Sequence, residues 1–164
     1  MGIIKYLKGD ATQPVGNQGI ISHISNDVGG WGHGFVTAIS KRWSQPEAEY
    51  RKMSKIHRVV GNVQFVTVDN NLIVANMIAQ NGLRFNDYDV PAVNYAAIQV
   101  CMEKVCAMAD IMGVDVHAPR FGAGLSGGSW DIVEFVLLKV LRKYSCDIYV
   151  YDFDGNDNIV AKLN

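Results

Sequence analysis

Two glycine-rich loops, each leaving an apolar segment and each running into a helix-like one, constrain this chain more than any other feature. The first reads Asn26-Asp27-Val28-Gly29-Gly30-Trp31-Gly32-His33-Gly34, and the second Phe121-Gly122-Ala123-Gly124-Leu125-Ser126-Gly127-Gly128-Ser129. Each carries four glycines in nine residues. Glycine lets the backbone take positive φ and lets a ligand come close to the main chain. Backbone amides at a strand-to-helix junction point outward, and the helix dipole favours negative charge there. One such loop reads equally well as a turn. Two of them, far apart in sequence, predict a paired cradle for an extended anion such as a diphosphate.

The segments around the loops alternate between strand and helix patterns. Ile3–Lys8 reads as a first strand and Gly19–Ser25 as a second, central one. A helix is expected from about Gly34 to Trp43, with Phe35, Ala38, Ile39 and Trp43 at helical spacing. Pro46 can open a short helix through Tyr50 and Met53. Val63–Val68 and Leu72–Met77 read as a hairpin across Asp69-Asn70-Asn71, and Ala79 to Pro91 as polar and irregular. A long helix is predicted from about Ala92 to Met112, with Val93, Ala97, Val100, Val105, Met108 and Met112 near one side and Gly113 as its stop. Val114–Pro119 is the next strand. Ser129 is placed to cap a helix from Trp130 to Tyr144, and Asp147 to Phe153 reads as the last strand. The order predicts a mixed sheet flanked by helices. Ligands in such sheets sit beyond the carboxyl ends of the strands, where both glycine loops fall.

At 164 residues the chain fits one domain spanning 1–164. The net charge of −1 gives no bulk attraction to nucleic acid or to a membrane surface. Lys41, Arg42, Arg51, Lys52, Lys55 and Arg58 crowd one region and read as a solvated face. Cys101, Cys106 and Cys146 are odd in number and form no CxxC, and no signal peptide precedes them. They read as free thiols packed in the core of a cytoplasmic protein. No apolar run approaches the ~18 residues of a membrane span. No metal-binding cluster and no bound cofactor are indicated. Neither the P-loop pattern nor a complete Rossmann fingerprint is present.

Lys8-Gly9-Asp10-Ala11-Thr12 resembles the opening motif of macrodomains. Ser22-His23-Ile24-Ser25-Asn26 followed by Gly30-Trp31-Gly32-His33-Gly34 is similar to their first ligand loop, and Pro119 to Trp130 to their second. The three motifs stand in family order and cover nearly the whole chain. The resemblance implies a three-layer α/β/α fold around a central mixed sheet. It also implies binding of ADP-ribose or an ADP-ribosyl derivative. Asp10 would accept from the adenine amino group, with Ala11 beside it. Gly122, Ala123, Gly124, Leu125 and Ser126 would hold the diphosphate. Gly30, Trp31, Gly32 and Gly34 would wrap the distal ribose and its phosphate, and Asn26 would bond the ribose hydroxyls. Phe153 would stack on adenine or close the edge of the core.

The resemblance is greatest to the branch with histidine in the second strand, which includes a phosphatase of ADP-ribose 1″-phosphate and glycohydrolases of ADP-ribosylated carboxylates. It implies hydrolysis of ADP-ribose 1″-phosphate or a related ADP-ribosyl ester, with a non-catalytic ADP-ribose reader as the alternative. His23 could relay a proton near neutral pH, and His33 lies where the reactive end is expected. Asp27 could orient a water or merely cap a turn. The lysine and aspartate used by some glycohydrolases correspond here to Gln80 and Ser126, which cannot take over their chemistry. His57 and His117 are read as surface and core.

Overall fold

The computed structural model describes residues 1–83, 92–123, 127–153 and 162–163. A seven-stranded sheet is built from β1 (Ile4–Lys8), β2 (Gly19–Asn26), β3 (Val63–Asp69), β4 (Leu72–Gln80), β5 (Val116–Pro119), β6 (Ile148–Asp152) and β7 (Lys162–Leu163). The spatial order is β3-β4-β2-β5-β6-β1-β7. The five inner strands run parallel, and β3 and β7 close the two edges antiparallel. Among the described residues four α-helices flank it: α1 (Phe35–Arg42), α2 (Gln45–Lys52), α3 (Tyr95–Met112) and α4 (Trp130–Leu141). The α/β/α arrangement with a central mixed sheet is the expected one.

Strand alternation sends side chains to opposite faces, and β4 shows it plainly. Leu72, Val74 and Ile78 pack with Ile39 and Tyr50 of α1 and α2, whereas Ala75, Met77 and Ala79 pack with α3. The same rule puts Ile21 of β2 on the α1–α2 face and Ile20 on the other. Covered on both faces, β2, β4 and β5 are buried for most of their length, as parallel sheets require, whereas β1 fully buries only Leu7. Cys101, Cys106 and Cys146 are free thiols inside the larger core, as read.

Local signals explain the helices. Pro46 and Glu47 occupy the first turn of α2 and Arg51 and Lys52 its last, so charge and dipole agree. The Asn94 side chain accepts from the Ala97 amide to cap α3, which ends at Gly113.

Several boundaries differ from the reading. β4 continues to Gln80 because β2 pairs with it through Asn26. α4 stops at Leu141 rather than Tyr144, and Ser129 makes no side-chain capping bond. β6 is not the last strand, since β7 follows and pairs with β1. Val100 and Met112 of α3 face outward. Most of the segment read as irregular, residues 84–91, lies outside the described residues.

Candidate ligand groove

Because the inner strands are parallel, their carboxyl ends share one edge. Loop one leaves β2 there and loop two leaves β5, while Asp10 follows β1 and Phe153 follows β6. Three adjoining cavities run along this edge, of about 490, 270 and 720 Å³. The first two share Gly34, Phe35 and Pro119, and the second and third share Ile24, His33, Val36 and Gln80.

The first cavity is lined by Asp10, Ala11, Lys41, Arg42, Tyr151 and Phe153, among others. Asp10 Oδ1 accepts from the Thr12 amide at 2.8 Å and the Thr12 hydroxyl at 2.7 Å. Its Oδ2 has a long contact, 3.5 Å, with Arg42. One carboxylate oxygen therefore fixes the turn and the other faces a cationic neighbour. Phe153 is 59% exposed, so of its two readings the core-edge one is excluded. It leaves an aromatic face on the cavity wall instead.

The middle cavity lies between the loops, against His33, Gly34 and Phe35 on one side and Arg120, Phe121 and Gly122 on the other. Gly34 precedes α1 with φ 79° and supplies no side chain to cap it. No side chain caps the opening amides of α1, in contrast to those of α3, and the Thr37 amide donates to the Gly34 carbonyl at 3.1 Å. At Gly122, φ is 80° and an added Cβ would lie 3.2 Å from both Val133 and Val93. Only glycine fits this backbone and this space. The Arg120 guanidinium binds Asp152 through two contacts, 2.5 and 3.1 Å, and lies over the rings of Tyr6 and Trp130. Its charge is largely spent on that carboxylate. Ala123 is half-buried, whereas Gly124, Leu125 and Ser126 lie outside the described residues.

The third cavity lies against loop one and includes Gly30, Trp31, Gly32, Asn26 and Leu83 in its wall. Loop one is braced from within and from behind. Asn26 Oδ1 accepts from the amides of Val28 (3.1 Å) and Gly30 (2.9 Å) and from the Tyr50 hydroxyl (2.9 Å), while its Nδ2 donates to the Gly30 carbonyl. The Asn26 side chain is thus committed to shaping the loop rather than offered to ribose hydroxyls. Arg51 donates to the Trp31 carbonyl and Arg58 to those of Asp27 and Met53, so two members of the basic cluster also brace loop one, Arg51 while still exposed. The Trp31 indole donates to Ser40. Leu83 lies over Gly30, where a Cβ would come within 2.3 Å of it.

Two of the three residues considered for chemistry take other work. Asp27 accepts from the Gly82 amide at 2.9 Å and from Asn81 at 3.2 Å, which is the turn-capping alternative. His23 is 1% exposed, edge-on to Trp31, and bonded through Nε2 to Asn76 Oδ1 at 2.5 Å. Burial lowers its pKa to about 4, so it is a neutral imidazole and not a base poised near neutrality. His33 is exposed where the second and third cavities meet. His57 is exposed and His117 buried, as read.

No protein-family model and no curated protein matches the chain. Solved structures do. A protein of unknown function from Bacteroides thetaiotaomicron is 41% identical, with a TM-score of 0.83 over 90% of this chain and 97% of that one. A macrodomain protein from Streptomyces coelicolor is 40% identical, with a TM-score of 0.75 over 91% of this chain and 98% of that one. The chain belongs to the macrodomain family. DarTG of Thermosipho africanus, solved in complex with ADP-ribose, is 14% identical with a TM-score of 0.64, over 87% of this chain and 40% of that one. That match speaks for the fold alone. The sequence reading of this macrodomain missed Tyr50 and Leu83, which brace and cover loop one.

Proposed function

We propose that this macrodomain binds ADP-ribose, the ligand held by the DarTG structure, along the groove just described. The observation that carries the reading is the order of the three cavities. A carboxylate and an exposed phenyl ring mark one end, which suits an adenine: Asp10 offers an acceptor to the amino group and Phe153 a stacking face. The middle offers uncapped helix amides and a tight glycine backbone, which suit a diphosphate. The far cavity, walled by loop one, takes the distal ribose. Gly124, Leu125 and Ser126 complete the diphosphate cradle in this reading.

Hydrolysis of ADP-ribose 1″-phosphate or a related ADP-ribosyl ester would rest on His33, which faces the reactive end. A reader without turnover is the reading that a specific observation favours. Among the described residues no carboxylate and no lysine lines the far cavity, and His23 is buried and neutral. Calorimetry with ADP-ribose and ADP tests binding; failure to bind ADP-ribose refutes the proposal. Phosphate release from ADP-ribose 1″-phosphate separates enzyme from reader. A positioned general base contributes ~10²–10⁴-fold. Turnover that falls at least about tenfold in His33→Ala would establish the enzyme, and no release by the unaltered protein would establish the reader.

A further inference from the structure

α4 buries one side and exposes the other. Val133, Val136, Leu137, Val140 and Leu141 face the core. Ile132, Phe135 and Leu138 are exposed, Phe135 to 66%. Spaced by three, they form one stripe along the outer side of the helix. The core makes no use of this stripe, and a contiguous apolar patch on a protein surface marks a contact with another molecule.

The charges beside the stripe select the molecule. Asp131, Phe135 and Lys139 are spaced by four, so they lie in one row along the helix, and all three are exposed. Neither charge forms an ion pair among the described residues. The row reads acid, phenyl ring, base; turned end for end, it reads base, phenyl ring, acid. Helices that cross at about −50° lay such rows alongside one another, which is the commonest packing in globular proteins. In an antiparallel crossing of two copies, each Asp131 meets Lys139 of the other copy. The two Phe135 rings meet in the middle, flanked by Ile132 and Leu138. A contact with twofold symmetry has to complement itself in this way. Because the row sums to zero charge, it gives an anionic membrane surface nothing to attract.

We propose that two copies of this chain associate through α4 in an antiparallel pair centred on Phe135. A single helix crossing buries less than the ~1,200 Å² at which standard interfaces begin, so the pair is weak and fills only at high protein concentration. α4 leads from the carboxyl end of β5 back to the start of the parallel strand β6, so it runs away from the groove edge. The two grooves of the pair therefore open away from each other. The pairing is independent of what the groove binds.

The test is sedimentation velocity of the full chain from about 10 µM to about 1 mM, the range of weak association. The unaltered protein should pass from monomer to dimer across it. Phe135→Asp should weaken the pair at least about tenfold, because it sets two carboxylates at the centre of the crossing. Asp131→Lys and Lys139→Asp should each weaken it about three- to tenfold, since like charges then meet at both ends. An equimolar mixture of those two variants should recover the dimer, because one copy then brings two lysines and the other two aspartates. Melting temperatures should hold, since every altered side chain is exposed. If Phe135→Asp does not fold, the charge variants carry the test. A chain that stays monomeric to the top of this range overturns the proposal and leaves the stripe to a different protein. A dimer that Phe135→Asp does not weaken overturns it, and so does a mixture no better than either charge variant alone.

Discussion

Mild acid should destabilise this fold through two buried histidines. Burial lowers the pKa of His23 and of His117 to about 4. At His117 this outweighs the Gln18 carbonyl and the Asp115 carboxylate, both of which pull it upward. Its Nε2 donates to that carbonyl at 2.9 Å, and its Nδ1 accepts from the Tyr151 hydroxyl at 2.8 Å. An unfolded histidine titrates near 6.5. Between about pH 6.5 and 4 the unfolded chain therefore binds protons that the folded chain refuses. Stability is fully present above the unfolded pKa and is lost as pH falls through this window. Each histidine contributes a slope of about 1.4 kcal/mol per pH unit, and the pair about 2.7. From pH 7 to pH 5 the loss is roughly 4 kcal/mol, a large part of the ~5–15 kcal/mol of a typical domain. Urea unfolding at pH 7, 6 and 5 measures it. His117→Gln should reduce the slope by about half, whatever it does to stability at pH 7. Equal stability at pH 7 and 5, or an undiminished slope in that variant, would refute the reasoning.

Two further substitutions probe the two ends of the groove. Tyr50→Phe removes the hydroxyl that binds the Asn26 carbonyl at 2.6 Å and its Oδ1 at 2.9 Å. It should cost roughly 1–3 kcal/mol in urea unfolding and weaken ADP-ribose binding, because loop one loses its brace; full stability in that variant would remove Tyr50 from the argument. Phe153→Ala should weaken ADP-ribose by about 1–3 kcal/mol, the range for base stacking on an aromatic side chain. Its melting temperature should hold, since the ring is largely exposed, and unaltered affinity would show that adenine does not stack there.

Local signals foretold most of the architecture. Pro46 opening α2 and Gly113 closing α3 each act through neighbours in sequence, and each is found as read; Gly124, Leu125 and Ser126 of loop two lie outside the described residues. What was illegible depends on partners far along the chain. Nothing around Asn26 says that Tyr50, twenty-four residues on, will claim its carboxamide oxygen. The bracing bonds of Arg51 and Arg58 were not legible because a carbonyl acceptor leaves no mark in the sequence. His23 looked like a proton relay because its residue type titrates near neutrality; its depth under Trp31 is a tertiary fact. The outward turn of Val100 and Met112 has the same origin, since a helix this long buries only the stripe that meets the sheet and α4.

The parallel core has a consequence for the order in which the groove comes into being. β1 precedes the other strands described, yet among the described residues it pairs only with β6 and β7, with Ile4 opposite Ile148 and Leu7 opposite Leu163. During synthesis it must wait, unpaired, for nearly all the remaining chain, and pairings of such sequence separation form slowly. Loop one and its braces, by contrast, lie within residues 26–83 and can settle earlier. The wall at loop one would thus be finished before the cavity framed by Asp10 and Phe153, which needs β1 and β6 together. A nascent or C-terminally clipped chain would keep loop one while having nowhere to put a base.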